Sequence, residues 1–201
     1  ASLGRPLRVA WWDDFGGLPL CPRTRAALDT TVRTLTQAGA TVQRMYPANF
    51  DITTAWAAFG HVAGAEIGLG LPAMVRWAGD FAGKFLGPLM AASDMPLTRA
   101  IAQGMALDMR RYNHGLNQRA HLMAALDSFL TEWDVWLCPV AATTAYVARP
   151  PGRWLSSPWL GVGHRHVPRL EATLGMTVPF SLTGHPVVRL PVGIYDGLPV
   201  G

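Results

Sequence analysis

The chain has 201 residues, half of them hydrophobic and only 15% charged, and its formal net charge is +4. This length allows one domain with a substantial core. The positive charge comes almost entirely from scattered arginines, whereas a nucleic-acid-binding surface needs a basic stripe or patch. No uncharged apolar run approaches the ~20 residues of a membrane span, and no signal peptide is recognisable. We therefore expect a cytoplasmic protein without nucleic-acid or membrane partners.

Cysteine, histidine and acidic residues form no pattern typical of a metal site. Cys21 and Cys138 lie far apart, and neither their number nor their spacing suggests a disulfide framework or zinc motif. Cys138 ends an apolar run and is interpreted as a buried structural thiol. His164 and His166 have no acidic or cysteine neighbour, so they are interpreted as loop residues. The pair Asp13-Asp14 could bind a cation, but solvation of a loop is the simpler interpretation. The sequence predicts no metal.

The first 50 residues have the pattern of a β-α-β unit. Residues 7–12 and 41–46 are short apolar runs that predict strands, and Pro22 suits the first turn of a helix between them. Gly39 is the expected left-handed residue after that helix. Such crossovers are typical of a parallel pair in a helix-covered sheet. Gly16-Gly17 after the first strand lacks the Gly-x-Gly-x-x-Gly pattern, so no dinucleotide cofactor is expected. The predicted buried face of the helix consists of Leu28, Val32, Leu35 and Ala38.

The middle of the chain predicts mainly helices. Asp51 can cap a helix. Residues 97–132 form the longest segment with helical spacing, in which Gly104 and Gly115 allow either a kink or two helices. The predicted buried face of the Asp51 helix is Trp56, Phe59, Ala63 and Ile67. Between these segments lies a possible amphipathic stripe of Val75, Ala78, Ala82, Phe85 and Leu89. It could form a substrate-entry cap or a membrane-contact helix, but ordinary packing is favoured.

The last third of the chain predicts two strands separated by a long loop. Residues 135–138 read as a strand ended by proline, and residues 146–175 are rich in Gly and Pro, with a short helix near 169–174. Residues 187–190 form an apolar run bounded by prolines and glycines, which is typical of a buried strand. The predicted fold class is α/β, a mixed β-sheet flanked by α-helices, with residues 1–201 in a single unit.

The segment 177–193 resembles the amidase signature family, the serine hydrolases of amides. The family has Pro-Phe-Asn-x-x-Gly-x-Pro, an apolar strand and Pro-x-Gly, followed by Gly-Leu-Pro-x-Gly; here Ser181 replaces the asparagine. Residues 39–42 fit the family's Gly-Ala-x-Val. Asp134 and Pro139 fit its Tyr-Asp-x-x-x-x-Pro strand, which feeds a loop near the substrate site. Tyr112, Arg119 and Leu122 match a further family pattern, in which Arg119 is interpreted as a structural anchor.

The resemblance implies a Ser–Ser–Lys triad in which one serine is acylated by the amide substrate, without a cofactor. That triad is not recognisable here. In the family its residues precede the segment that resembles residues 7–12. This chain has no Gly-Gly-Ser-Ser stretch, and neither Ser156-Ser157 nor Lys84 has suitable neighbours. We therefore expect the C-terminal portion of a longer amidase, inactive alone. Its expected partners are a small-molecule amide and the missing N-terminal half, which would dock on a large apolar face, with a homodimer as a further possible assembly.

The resemblance also suggests which residues face the substrate. In the A-type amidotransferase relative, two positions hold the polar ends of the substrate. In this chain they fall on Ala100 and on or near Leu174, which carry no charge. Arg99 and Glu171 are charged, but they are shifted from these positions. We therefore expect a general amidase. The alternatives are an A-type subunit of a tRNA-dependent amidotransferase and a non-catalytic α/β binding domain. The candidate pocket residues are Tyr112, Phe180, Ser181, Thr183 and His185.

Overall fold

A computed structural model describes residues 4–74, 76, 95–146, 159–195 and 197–201. The elements in chain order are β1 (Arg8–Trp11), α1 (Pro22–Gln37), β2 (Thr41–Arg44), α2 (Ile52–Leu69), α3 (Pro96–Gly104), α4 (Met109–Glu132), β3 (Val135–Leu137), β4 (Trp159–Val162), β5 (Arg165–Pro168), α5 (Arg169–Leu174), α6 (Val178–Thr183), β6 (Gly193–Tyr195) and β7 (Leu198–Val200). The predicted stripe within residues 75–89, Lys84 and Ser156-Ser157 lie outside the described residues. None of the helices described is long and apolar enough to cross a bilayer.

A parallel three-stranded sheet in the order β2-β1-β3 organises the fold. The predicted β-α-β unit is confirmed, with Pro22 at the start of α1 and Gly39 at a left-handed φ of +87° after it. The Cys21 thiol caps α1 by accepting the amide N–H of Thr24 at 3.4 Å. The predicted α/β class is confirmed. In the described chain, antiparallel pairing occurs in the separate hairpins β4-β5 and β6-β7.

Close contact between α2 and α3 depends on glycines. A Cβ atom added at Gly60 would lie 2.4 Å from the Cβ of Ala100, and one at Gly104 would lie 2.4 Å from the carbonyl oxygen of Gly60. Side chains larger than hydrogen are therefore excluded at Gly60 and Gly104. Asp51 caps α2 as predicted, with its carboxylate accepting the Thr54 amide at 2.7 Å. The predicted face is only partly right, because Ile67 is 47% exposed.

Of the two possibilities for residues 97–132, a kink or two helices, the structure has two helices. The chain leaves the helical conformation between α3 and α4, where Leu107 has a φ of +58°. Asp108 then caps α4 by accepting the amide of Arg110 at 2.9 Å. Gly115 does not interrupt α4; it is buried, and an added Cβ would lie 3.1 Å from the carbonyl oxygen of Ala58 on α2. Its role is close helix packing.

An aromatic cluster around Trp136 of β3 packs against the buried core. The rings of Phe50, Phe129 and Phe180 lie 5.4 to 5.7 Å from the Trp136 ring, all in edge-on contacts. Tyr46 joins the cluster at 5.8 Å. Edge-to-face contacts at these distances are favourable beyond the burial of area alone. The cluster connects the sheet with α4 and α6, so these elements hold one another in place.

The predicted strand at residues 187–190 is wrong for the chain as described. This segment is not assigned to a strand, and Val187, Val188 and Leu190 are 65%, 81% and 63% exposed. An apolar run becomes a buried strand only where a neighbouring strand and a covering layer exist, and the described residues supply neither. The predicted loop at 146–175 is also partly wrong, because β4 and β5 form a hairpin within it, while the short helix near 169–174 is present as α5.

Candidate active site

The segment with the family motif folds into α6 and a tight turn. Pro179 occupies the first turn of α6, where its missing N–H removes no helical hydrogen bond. Gly184 ends α6 at a left-handed φ of +74° and donates its amide to the carbonyl of Phe180 at 2.9 Å. Glycine adopts this conformation without steric cost. The turn directs His185 toward α4.

Arg119 fixes α6 against α4. Its Nε donates to the carbonyl oxygen of Leu182 at 2.7 Å, near the C-terminal end of α6. A charge-assisted bond to a free helix carbonyl also places a cation at the negative end of the helix. Arg119 therefore acts as the structural anchor that the sequence predicts.

His185 is held by a carboxylate of α4. Its Nε2 lies 3.1 Å from Oδ1 of Asp127, and the side chain of His185 is 13% exposed whereas that of Asp127 is 70% exposed. Nδ1 of His185 is buried and has no hydrogen-bond partner among the described residues. Because Asp127 engages Nε2, Nδ1 is the ring nitrogen left without a partner in the described chain. The described residues enclose this nitrogen, so it is not open to a ligand in this structure.

The other predicted pocket residues differ in accessibility. Phe180 belongs to the aromatic cluster, and Thr183 is buried with its hydroxyl 3.4 Å from the Phe180 carbonyl oxygen. Ser181 is exposed. Tyr112 is half-buried near the start of α4, two turns before Arg119, and no described contact joins it to the α6 residues. The structure thus brings four candidates together on α6 and its turn and leaves Tyr112 separate.

An ion-pair cluster at the carboxyl ends of β1 and β2 is not predicted from the sequence. Asp13 is 7% exposed and binds Arg25 at 2.5 Å and Arg44 at 2.8 Å. Burial raises the pKa of Asp13, but hydrogen bonds from Arg44 and Arg25 outweigh that effect, so its pKa lies below the usual value. Arg44 also stacks 4.2 Å from the Trp12 ring centroid. The register of the parallel pair β1-β2 is the signal that could have indicated this cluster. It places Arg44 beside Trp11, which lies two residues before Asp13.

Comparison with known proteins identifies the family of this chain. A family model described as Amidase matches residues 1–201. The chain belongs to the amidase family. Among curated proteins, the A-type subunit of glutamyl-tRNA(Gln) amidotransferase from Clostridium botulinum is 30% identical over 92 residues, which are 45% of this chain and 16% of that protein.

Solved amidases share the fold of this chain at low sequence identity. A structure described as a crystal structure of amidase is 22% identical, with a TM-score of 0.63, and the match covers 97% of this chain and 40% of that one. A bacterial aryl acylamidase of the amidase signature enzymes is 17% identical, with a TM-score of 0.67, over 98% of this chain and 39% of that one. At these identities the likeness establishes the fold alone. The chain spans about two fifths of these amidases.

Glu171 and Ala100, which lie at or near the positions compared with the amidotransferase, have structural roles in this chain. Glu171 is fully buried, and its carboxylate accepts the Thr98 amide at 2.9 Å and the Thr98 hydroxyl at 3.0 Å. These bonds satisfy the first turn of α3. Ala100 is buried against Gly60, which leaves no room for a longer side chain. Glu171 is therefore committed to the fold.

Nucleophilic groups suited to amide cleavage are not found together in the described part of the chain. No lysine lies within it, because Lys84 is outside it. Burial raises the pKa of the Cys138 thiol well above its usual value, which disfavours the reactive thiolate. The described residues hold no group of three or more potential metal ligands. They can line and orient a substrate, but they present no recognisable activated nucleophile.

Proposed function

We propose that this chain forms one wall of a serine amidase whose nucleophile and base come from residues outside this chain. The catalytic serine would attack the amide carbonyl, and cleavage of the C–N bond would release ammonia or an amine. Water would then hydrolyse the acyl-enzyme. The observation that carries the proposal is the match to the amidase family over residues 1–201 together with coverage of only about two fifths of solved amidases. A Ser–Ser–Lys triad would then lie in the uncovered part.

The wall would be α6 and its turn. Ser181 offers an exposed hydroxyl, and His185 holds the adjoining turn against α4. Their positions are fixed by Arg119 and Asp127 of α4. A substrate pocket in proteins combines apolar surface with a few well-placed polar groups. The partly buried Phe180 would supply the apolar surface here.

The A-type component of a tRNA-dependent amidotransferase is the second candidate, supported by the 30% identity to that protein over 92 residues. The chemistry of the compared positions argues against it. Ala100 carries no charge, and the nearby carboxylate of Glu171 is buried in the cap of α3. We therefore favour a general amidase. Ammonia release from glutamine by the complete protein, and its co-purification with a second type of chain, would instead support the amidotransferase.

The proposal is tested by comparing the complete protein that contains these residues with the 201-residue chain. We expect the complete protein to release ammonia from simple aliphatic or aromatic amides and to be blocked by a serine-directed phosphonate. The 201-residue chain should show no turnover above background and no labelling. Turnover by the short chain that the phosphonate blocks would contradict the proposal, as would failure of the phosphonate to label the complete protein.

A further inference from the structure

His61 of α2 lies where α2 meets both α3 and α4. A Cβ atom added at Gly104 of α3 would lie 2.8 Å from the carbonyl oxygen of His61, and one added at Gly115 of α4 would lie 3.4 Å from the Cβ of His61. Both neighbouring helices are therefore in close contact with this residue. Because packed helices have little free space to adjust, a change at the His61 ring affects all three of them.

One nitrogen of the His61 ring is enclosed without a hydrogen-bond partner. Nδ1 is buried, and no donor or acceptor in the part of the chain that the structure describes bonds to it. In a neutral ring with the proton on Nε2, Nδ1 is an acceptor, but protonation of the ring turns it into an N–H donor. A buried charged donor without an acceptor is costly. The geometry therefore favours the neutral form of His61.

The charged groups that face His61 strengthen this preference. They lie on α4 and are Arg111, His114 and Asp108, whereas the neighbouring polar group of α3 is the uncharged Gln103. Arg111 is held at this junction by donating to the Gln103 carbonyl oxygen at 3.0 Å. The Asp108 carboxylate is already occupied, because its Oδ1 accepts two backbone amides at the start of α4, at 2.9 and 3.3 Å. A protonated His61 would therefore face fixed positive charge.

The pKa of His61 agrees with this arrangement. Burial lowers the pKa below its usual value; Gln103 opposes this effect, and the charges of Arg111 and His114 add to it. The usual histidine pKa is about 6.5. Since the folded form binds the proton less readily than the unfolded form, the stability is fully present above about pH 6.5 and is lost as the pH falls below it.

We propose that His61 is an acid-sensitive contact, in which protonation of the ring separates the α3–α4 corner, residues 104–112, from α2. Leu107 in this corner has a φ of +58°, a backbone conformation that is unfavourable for leucine and has to be maintained by packing. Tyr112, one of the candidate pocket residues, lies at the end of the corner. Acidification would displace Tyr112 and lower amidase activity reversibly. This last consequence rests on the proposed function, whereas the opening of the corner does not.

The test is hydrogen–deuterium exchange of the complete protein that contains these residues, at about pH 7.5 and about pH 5.5, corrected for the intrinsic pH dependence of exchange. We expect the amides of Leu107 and Tyr112, which are hydrogen-bonded within the corner, to lose at least about fivefold in protection at the lower pH. The Trp12 amide, which is bonded to the carbonyl oxygen of Leu137 at the sheet, should lose less than about twofold.

Substitution of His61 removes the group that gains the proton. We expect the corner to be equally protected at both pH values in His61→Gln and in His61→Leu, and the use of two variants allows for one that does not fold. The matched control is His164→Gln, because His164 is exposed in the turn between β4 and β5. This control should retain the full loss of protection at the corner.

Each outcome decides the inference. Equal protection of the corner at the two pH values in the unsubstituted protein would overturn it, as would a loss that persists in a folded His61 variant. An equal loss at Trp12 and at the corner would also overturn it, because it would indicate general unfolding in acid. A corner that opens in acid in a complete protein without amidase activity would support the inference and refute the proposed function.

Discussion

Asp134 shows how one carboxylate can join distant parts of the chain. Its two oxygens accept from Arg5 at 2.6 and 2.7 Å, and one of them also accepts the Arg8 amide at 2.8 Å. The Arg5 hydrogen bond, followed by that of the Arg8 backbone, lowers the pKa of Asp134 to about 2. This carboxylate therefore ties the segment before β1 to the start of β3.

The pKa of Asp134 predicts a loss of stability in acid. The usual aspartate pKa is about 3.9, so the stabilisation is present above about pH 4 and is lost as the pH falls through about 2. We expect Asp134→Asn to lower the free energy of unfolding at pH 6 and to flatten its fall between pH 4 and 2. Urea unfolding at several pH values measures this. Asp29→Asn, on the exposed side of α1, should leave the slope unchanged; an unchanged slope in Asp134→Asn would contradict the prediction.

The candidate site shows which residue contacts can be predicted from sequence. The Gly-His-Pro sequence predicts a turn, because glycine and proline restrict the backbone locally, and the structure has that turn at Gly184. The partner of His185 could not be predicted, since Asp127 lies 58 positions away. For the same reason the partners of Asp13 could not be predicted, and the sequence indicates only a loop residue there. Long-range ion pairs depend on the fold.

At the scale of elements, the contact of α2 with α3 makes a sharp prediction. We expect Gly60→Ala to destabilise the fold by roughly 1–3 kcal/mol or more, because the added Cβ would lie 2.6 Å from the Ala100 backbone. Thermal unfolding measures the change. The control is Gly161→Ala, where nothing lies within 4 Å of the added Cβ, and we expect a change within about 0.5 kcal/mol. A tolerated Gly60→Ala would contradict the described packing.

The same helix shows the limit of periodicity as a guide. Trp56 is 1% exposed, as the apolar spacing predicts, whereas Ile67 at the other end of the predicted face is 47% exposed. The buried positions near the crossing are instead Gly60 and Gly64. The spacing of hydrophobic residues does not mark a glycine as buried, yet these two helices can approach this closely only where glycine lies between them. The existence of the helix was therefore predictable, and its packing face was predictable only in part.

At the scale of the whole molecule, the two faces of the sheet are covered unequally. Trp136 on one face lies within the aromatic cluster. Val9 and Leu137 on the other face line an apolar groove of about 260 Å³. The strands of the β-α-β unit and β3 were predictable because their partners lie within the chain. Residues 187–190 were not, since their apolar pattern requires a layer that the described residues do not provide.

The unequal coverage predicts that the 201-residue chain alone binds a hydrophobic dye. We expect fluorescence enhancement of an anilinonaphthalene sulfonate and self-association that increases with concentration, because exposed apolar patches favour both. The double substitution Val188→Asn and Leu190→Asn should reduce the dye signal and the association, while Leu69→Asn should leave both nearly unchanged. Sedimentation velocity and dye titration measure these effects. A monodisperse monomer that fails to bind the dye would show that this face is already covered.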